Sequence, residues 1–184
     1  MKKQILFIQG GGEDGYSADL PMVHSLKQGL GSVFEIIYPR LPSDEAAPDF
    51  GWLRQIEIEI NSCKNGVTVV AHSLGASMLL KYLSENEVAQ EIAAVFLIAV
   101  PYWHGDEDWK QGLKLREDFS SGLPEALKFY FYHCKDDEEV PFKHLSYYRE
   151  NLPFATFIDL NTGGHQLNND LSLVAKDIKG HIKI

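Results

Sequence analysis

The stretch "GVTVVAHSLGAS", residues 66 to 77, passes from an apolar run through small residues into helical spacing. Residues 66 to 71 have the unbroken apolar character of a strand covered on both faces, and apolar residues recur at helical intervals from Leu74 to Leu83. Ser73 stands at the junction, with Ala71 two residues before it and Gly75 two after. A strand that turns sharply at a serine and continues as a helix lifts the hydroxyl above the sheet. The neighbours must then be small, because the helix packs closely on the adjacent strands. The Leu74 N–H, at the start of that helix, points toward an oxygen that gains negative charge during attack by the serine.

Working outward, five more apolar runs read as strands, at residues 4–9, 33–38, 93–100, 127–133 and 154–160. Helical spacing occupies 20–30, 50–63, 74–83, 142–151 and 170–182. This alternation predicts a three-layer α/β/α fold around a doubly wound, mostly parallel six-stranded sheet, with residues 1–184 as a single domain. One connection, residues 101–126, is too long and too mixed in character for a simple crossover. It follows the fourth strand at the end of the sheet where ligands bind, so it reads as a cap-like insertion. Tyr102, Trp103 and Trp109 within it are the expected lining of a substrate pocket, and they also serve to pack the insertion onto the body.

A serine nucleophile needs an imidazole base and an acid to orient it. Later strand ends carry both: "HCKDDEEVP" (133–141) offers Asp136 or Asp137, and "NTGGHQL" (161–167) offers His165, which the paired glycines are expected to release into a mobile loop. His72 adjoins Ser73, but a residue next to the nucleophile points elsewhere, and it reads as a packed histidine. His133, Cys134 and Asp136 are metal-ligand types without a second cluster at ligand spacing, so no metal is expected.

The first strand runs into "QGGGEDG" (9–15), which also fits a G-x-G-x-x-G dinucleotide fingerprint. Glu13 and Asp14 lie inside this loop, where they repel a pyrophosphate, and the next apolar run ends in Pro39 and Arg40 rather than in an acid. With helical spacing resuming only near Pro21, the loop also looks too long for that motif.

Taken together, the Ser73 turn, the two carboxylates and the His165 loop resemble the α/β-hydrolase superfamily over nearly the whole chain. The chain looks most like the small single-domain serine hydrolases related to the retinoblastoma-binding-protein hydrolases. The family's D-x-x-V-P pattern matches Asp137 to Pro141 and so implies Asp137 as the acid. The resemblance likewise implies that Gly11 or Gly12 supplies a second oxyanion N–H beside that of Leu74. Two departures stand out: Gln9 replaces the usual loop histidine, and Ala71 replaces the usual glycine of the turn.

The implied activity is hydrolysis of a small carboxylic ester, or of an amide or thioester, with no cofactor. The alternative is a protein-interaction module that keeps the fold and a vestigial triad. A formal charge of -9 argues against nucleic acid and anionic membranes as partners and favours a small neutral or cationic substrate. The sequence names no protein partner. Cys63 and Cys134 are expected as buried free thiols, and the lack of a signal-peptide core or a membrane-length run points to a cytoplasmic location.

Overall fold

The computed structural model describes residues 2–182. Strands β1 (Lys3–Ile8), β2 (Phe34–Ile37), β3 (Val67–His72), β4 (Ile92–Ile98), β5 (Phe129–Cys134) and β6 (Thr156–Leu160) form a six-stranded sheet in the order β2-β1-β3-β4-β5-β6. Every neighbouring pair is parallel. The helices are α1 (Gly15–Leu30), α2 (Trp52–Ser62), α3 (Ser73–Glu85), the short α4 (Phe119–Gly122), α5 (His144–Asn151) and α6 (Ser172–His181).

The alternation of side chains along each strand builds two cores. Leu6, Ile8, Val69, Leu97 and Phe131 pack against Trp52 and Ile56 of α2, Leu79 of α3 and Tyr148 of α5. Ile5, Phe7, Val70, Phe96 and Tyr132 face the other way, onto Met22 and Leu26 of α1 and Val174 and Ile178 of α6. Each such side chain removed from water contributes about 1.5–3 kcal/mol. Because both faces of the inner strands are covered, these are largely apolar rather than alternating in polarity, whereas the edge strands β2 and β6 expose Glu35 and Asp159. No helix among the described residues is long and apolar enough to cross a membrane.

The strand order reverses at β1, which lies between β2 and β3. Loops leaving β1 and β3 therefore part to opposite faces and open a crevice at their carboxyl ends. Close packing of α3 beside this crevice depends on Gly75, where an added Cβ would meet the Gln9 carbonyl oxygen. Gly75→Ala is expected to lower stability by about 1–3 kcal/mol through overpacking. An unchanged urea midpoint would mean that α3 can move away from β1 freely.

The start of the first helix differs from the sequence expectation. α1 begins at Gly15, not near Leu20, and carries Pro21 in its interior. In its first turns the buried positions are Gly15 and Asp19, neither of them apolar, so hydrophobic periodicity is silent there. The glycine loop is consequently short, and its length no longer argues against a nucleotide. What does is its occupancy: the Asp19 carboxylate accepts the Gly10 N–H at 2.7 Å, taking a donor that a pyrophosphate would need.

Residues 101–126 contain a 3-10 turn at Asp108–Lys110 followed by α4. Leu113, Phe119 and Leu123 are buried in the core on the α3 side of the sheet. The Lys81 ammonium of α3 donates to the Lys114 carbonyl at 2.7 Å. The segment is thus fastened along much of its length.

Candidate active site

The loops that follow β1, β3, β5 and β6 converge at one end of the sheet. Ser73 begins α3 with φ 49°, a left-handed conformation that a serine adopts at a cost of order 1–3 kcal/mol. The turn closes with Ala71 in place of glycine, and Ala71 is fully buried. Ser73 remains only partly buried, while His72 before it and Gly75 after it are buried. At the N-terminus of α3 the free N–H groups and the helix dipole favour a negative oxygen.

Asp137 and His165 meet 28 residues apart in sequence: the His165 Nδ1 lies 2.9 Å from Asp137 Oδ2 and 3.1 Å from Oδ1. Asp137 Oδ1 also accepts the Glu139 and Val140 N–H groups, each at 2.9 Å. On the opposite side the His133 Nε2 lies 3.2 Å from Asp137 Oδ2 and 2.9 Å from the Val140 carbonyl oxygen. Since both of those oxygens are acceptors, Nε2 is the nitrogen that carries the His133 proton. Burial raises the pKa of Asp137, but hydrogen bonds from His133, His165 and the Val140 N–H outweigh it and hold the carboxyl well below the ordinary range.

The neighbouring acid does something different. Asp136 accepts the Gly164 N–H at 2.9 Å and the Gly163 N–H at 3.2 Å, and these bonds lower its pKa. The His165 loop is therefore anchored rather than loose, contrary to the expectation drawn from its glycines. It then winds through a left-handed turn in which Leu167, Asn168 and Asn169 all have φ between 52° and 57°.

His72 is placed beside the site but is fully occupied. Its Nδ1 lies 2.9 Å from Asp19 Oδ1, and its Nε2 lies 3.1 Å from the His165 carbonyl oxygen. Both ring nitrogens face acceptors, so neither is free to take a proton from Ser73. Cys134 is fully buried, and its thiol is pushed up to about 11, first by burial and then by Asp136 and Asp137. It is held as an unreactive thiol.

Ser73 lines two adjoining cavities. One, of about 230 Å³, is polar and is bordered by Gly10, Gly11, Gly12, His165 and Glu139. The other, of about 370 Å³, is walled by Leu74, Phe50, Trp103, Trp109, Leu113 and His144. Among the described residues no hydrogen bond joins Ser73 to His165, although both line the polar cavity. The Glu139 carboxylate lies 3.8 Å from His165 Nε2.

Gly11, Gly12, Leu74, Trp103 and Trp109 all border the apolar cavity. Trp103 is fixed by donating its indole N–H to the Ser77 hydroxyl at 3.0 Å, and it meets Trp109 edge-on at 5.7 Å. Tyr102 does not line that cavity. Its ring instead stacks on Tyr147 at 4.8 Å and meets Tyr148 edge-on at 5.5 Å, because the chain turns it toward α5. Gln9, in place of the usual histidine, borders a neighbouring cavity together with Gly12, Phe50 and Leu74. Its Oε1 accepts the Leu41 N–H at 3.0 Å, tying the segment after β2 to the glycine loop.

Two functional neighbours escape sequence reasoning. His133 was legible only as a possible metal ligand, yet its four-residue spacing to Asp137 at a strand end is the signal of a shared carboxylate. His144 borders the apolar cavity and accepts the Tyr102 N–H at Nδ1, 3.0 Å away, so its other nitrogen bears the proton. Burial first, then His104, His133 and Lys143, pushes it down to about 4, leaving a neutral donor at ordinary pH.

Among solved structures the chain resembles the ydeN gene product from B. subtilis, with 16% identity, a TM-score of 0.70 and 98% of each chain covered. It also resembles a SOBER1 variant from Arabidopsis thaliana, at 17% identity and TM-score 0.71 over 100% of both chains. A third neighbour is Est1E from Butyrivibrio proteoclasticus, at 14% identity and TM-score 0.70, covering 97% of this chain and 86% of the other. At these identities the likeness is one of fold. None of the curated proteins matches the chain in sequence. The family described as "Serine hydrolase" matches residues 43–173, a span that holds the Ser73 turn, the Asp137 loop and the His165 loop. By that match the chain belongs to the serine hydrolase family, and its parallel sheet has the α/β-hydrolase fold.

Proposed function

We propose that the protein hydrolyses small carboxylic esters through an acyl-enzyme, with Ser73 as nucleophile, His165 as general base and acid, and Asp137 as the orienting carboxylate. The observation that carries this reading is the Asp137–His165 bond at 2.9 Å beside a strained serine turn on the same cavity. Asp137 accepts the Nδ1 proton and so fixes the tautomer that leaves Nε2 free to receive the Ser73 proton. The Ser73–His165 bond then forms as substrate fills the site, since such bonds are commonly long in the unliganded state. The Leu74 N–H and that of Gly11 or Gly12 receive the oxyanion, each donor worth about 3–4 kcal/mol of transition-state stabilisation. His165 returns the proton to the leaving alcohol, and water repeats the sequence on the acyl-enzyme.

In this reading residues 101–126 form the cap, and the apolar cavity under Trp103 and Trp109 receives the acyl group. A panel of p-nitrophenyl esters of increasing chain length tests it: short and medium acyl groups are expected to be turned over better than long ones. Absence of turnover across the panel, with no labelling by a fluorophosphonate, would leave the fold as an interaction module.

The two tryptophans are expected to differ in this assay. Trp103 is pinned by Ser77, whereas Trp109 is 55% exposed at the rim. Trp103→Ala should enlarge the cavity and shift the preferred chain length upward. Trp109→Ala should change that preference less and leave the melting temperature nearly unaltered. Identical chain-length profiles in the wild type and both variants would reduce these rings to packing.

A further inference from the structure

The proposed reaction uses Asp137 and His165, but the structure holds a second aspartate–histidine pair that it does not use. His72 and Asp19 are 2% and 1% exposed, and the Nδ1 of His72 contacts both carboxylate oxygens, at 2.9 and 3.0 Å. Each partner has one further bond. Asp19 Oδ2 accepts the Gly10 N–H at 2.7 Å, and His72 Nε2 faces the His165 carbonyl oxygen at 3.1 Å. Because a carbonyl oxygen only accepts, the Nε2 must donate. The result is a continuous buried chain from the Gly10 amide through Asp19 and His72 to the backbone of His165.

That chain touches each moving part of the proposed chemistry. Gly10 begins the loop whose next residues carry oxyanion donors, His72 is the residue before Ser73, and His165 is the base. These segments come from β1, β3 and β6; α1 also packs on the turn after His165, but that contact lies beyond the base and does not reach Ser73. The imidazole of His165 is held at its Nδ1 by Asp137 and the start of its loop by Asp136, but both of these anchors come from the β5 side of the site. A second restraint on the His165 carbonyl oxygen, delivered from the residue adjoining Ser73, fixes the distance between base and nucleophile. The ring centroids of His72 and His165 are 4.6 Å apart, so the two imidazoles also pack on one another. Space is tight: a Cβ on Gly10 would come within 3.0 Å of the His72 Nδ1.

We propose that His72 and Asp19 are a positioning pair that sets the oxyanion loop and the base loop at one fixed separation across Ser73. This rests on the reading of Ser73, His165 and the glycine loop given above. Both side chains border the cavity that holds Ser73 and His165 but are almost wholly buried, so loss of the pair misplaces reacting groups more than it removes substrate contacts, and it acts on the transition state more than on substrate binding. Buried and charge-assisted, its members act as a unit, and their deletions are non-additive.

The test compares Asp19→Asn, His72→Gln and the double variant with the wild type, by ester kinetics and by amide hydrogen exchange at residues 10–12 and 164–166. For both single variants kcat is expected to fall about tenfold to a hundredfold, as for a displacement of reacting groups by about 1 Å, with KM within about threefold. The double variant should lose little more than either single one. Exchange should quicken at both loops in each variant, including the loop remote from the substitution, while β3 and β4 amides stay protected. A merely structural role predicts faster exchange only beside the altered residue, or equally everywhere, with kcat unaltered. Either result overturns the proposal, as does an unchanged kcat with both loops loosened. If Asp19→Asn cannot be purified folded, His72→Gln reads the same coupling from the other end. If the wild type turns over no ester and Ser73 takes no label, the catalytic reading fails, and with it this role for the pair. The exchange arm still shows whether the two loops are joined through His72 and Asp19.

Discussion

Ser73→Ala is expected to reduce ester turnover by at least about a thousandfold and to abolish labelling by a fluorophosphonate probe. The expectation follows from how few alternatives the site leaves. Cys134 is a buried thiol held protonated, and the histidine next to Ser73 is committed at both nitrogens, so neither a thiolate nor a second Ser–His pair can substitute. Ser77, one turn further along α3, donates to the Leu74 carbonyl and accepts from Trp103, so its hydroxyl is engaged within the protein. The residual rate in the variant should reflect the oxyanion donors and the cavity, which the substitution does not remove. Mass spectrometry of the labelled wild type locates the adduct. A label on any serine other than Ser73, or a variant that keeps its turnover, defeats the mechanism.

How much of this was legible in the sequence follows from what kind of contact each element makes. The four inner strands read clearly because they are covered on both faces and largely apolar, the edge strands β2 and β6 kept enough apolar residues around Glu35 and Asp159 to be read as well, and the boundaries moved by only a residue or two. The turn at Ser73 read clearly because its chemistry is local, lying in five consecutive residues. The first helix was misjudged at its start because its inner face is occupied there by a glycine that must admit the Gly10 carbonyl and by an aspartate that must bond to Gly10. Neither residue writes a hydrophobic period. Pro21 is tolerated inside the helix because its missing N–H costs a bond only to the carbonyl of the exposed Ser17.

Long-range polar pairs were the least legible. Nothing near His72 announces Asp19, 53 residues earlier, and a helix must be built before the two can be seen to meet. The direction of Tyr102 was equally hidden, since loop side chains obey no period, and only the position of α5 reveals what the ring covers. The proposed acid, by contrast, was narrowed to two adjacent residues because both follow the end of the same strand.

The choice between those residues leads to the second large expected effect: Asp137→Asn lowers kcat by roughly three to four orders of magnitude, the scale on which loss of a triad aspartate acts. Asn keeps the shape of the side chain, but its amide cannot both accept the His165 Nδ1 proton and stabilise the imidazolium that forms in the transition state. It also disturbs His133, whose Nε2 proton is shared between Asp137 and the Val140 carbonyl oxygen. Asp136→Asn retains one acceptor for the two glycine amides of the His165 loop and should stay within about tenfold of the wild type. A stability measurement checks the buried bonding of Asp137 independently of kinetics. Because the folded pKa of Asp137 is depressed, its contribution is complete above the unfolded value near 3.9 and is lost as pH falls toward the lower folded value. The Asp137→Asn variant should therefore lose less stability than the wild type below about pH 4. Kinetics of both variants on one ester, with folding followed by circular dichroism, gives the ranking. If Asp136→Asn proves the more damaging to kcat, holding the His165 loop matters more than charging its ring, and the acid's role moves to Asp136.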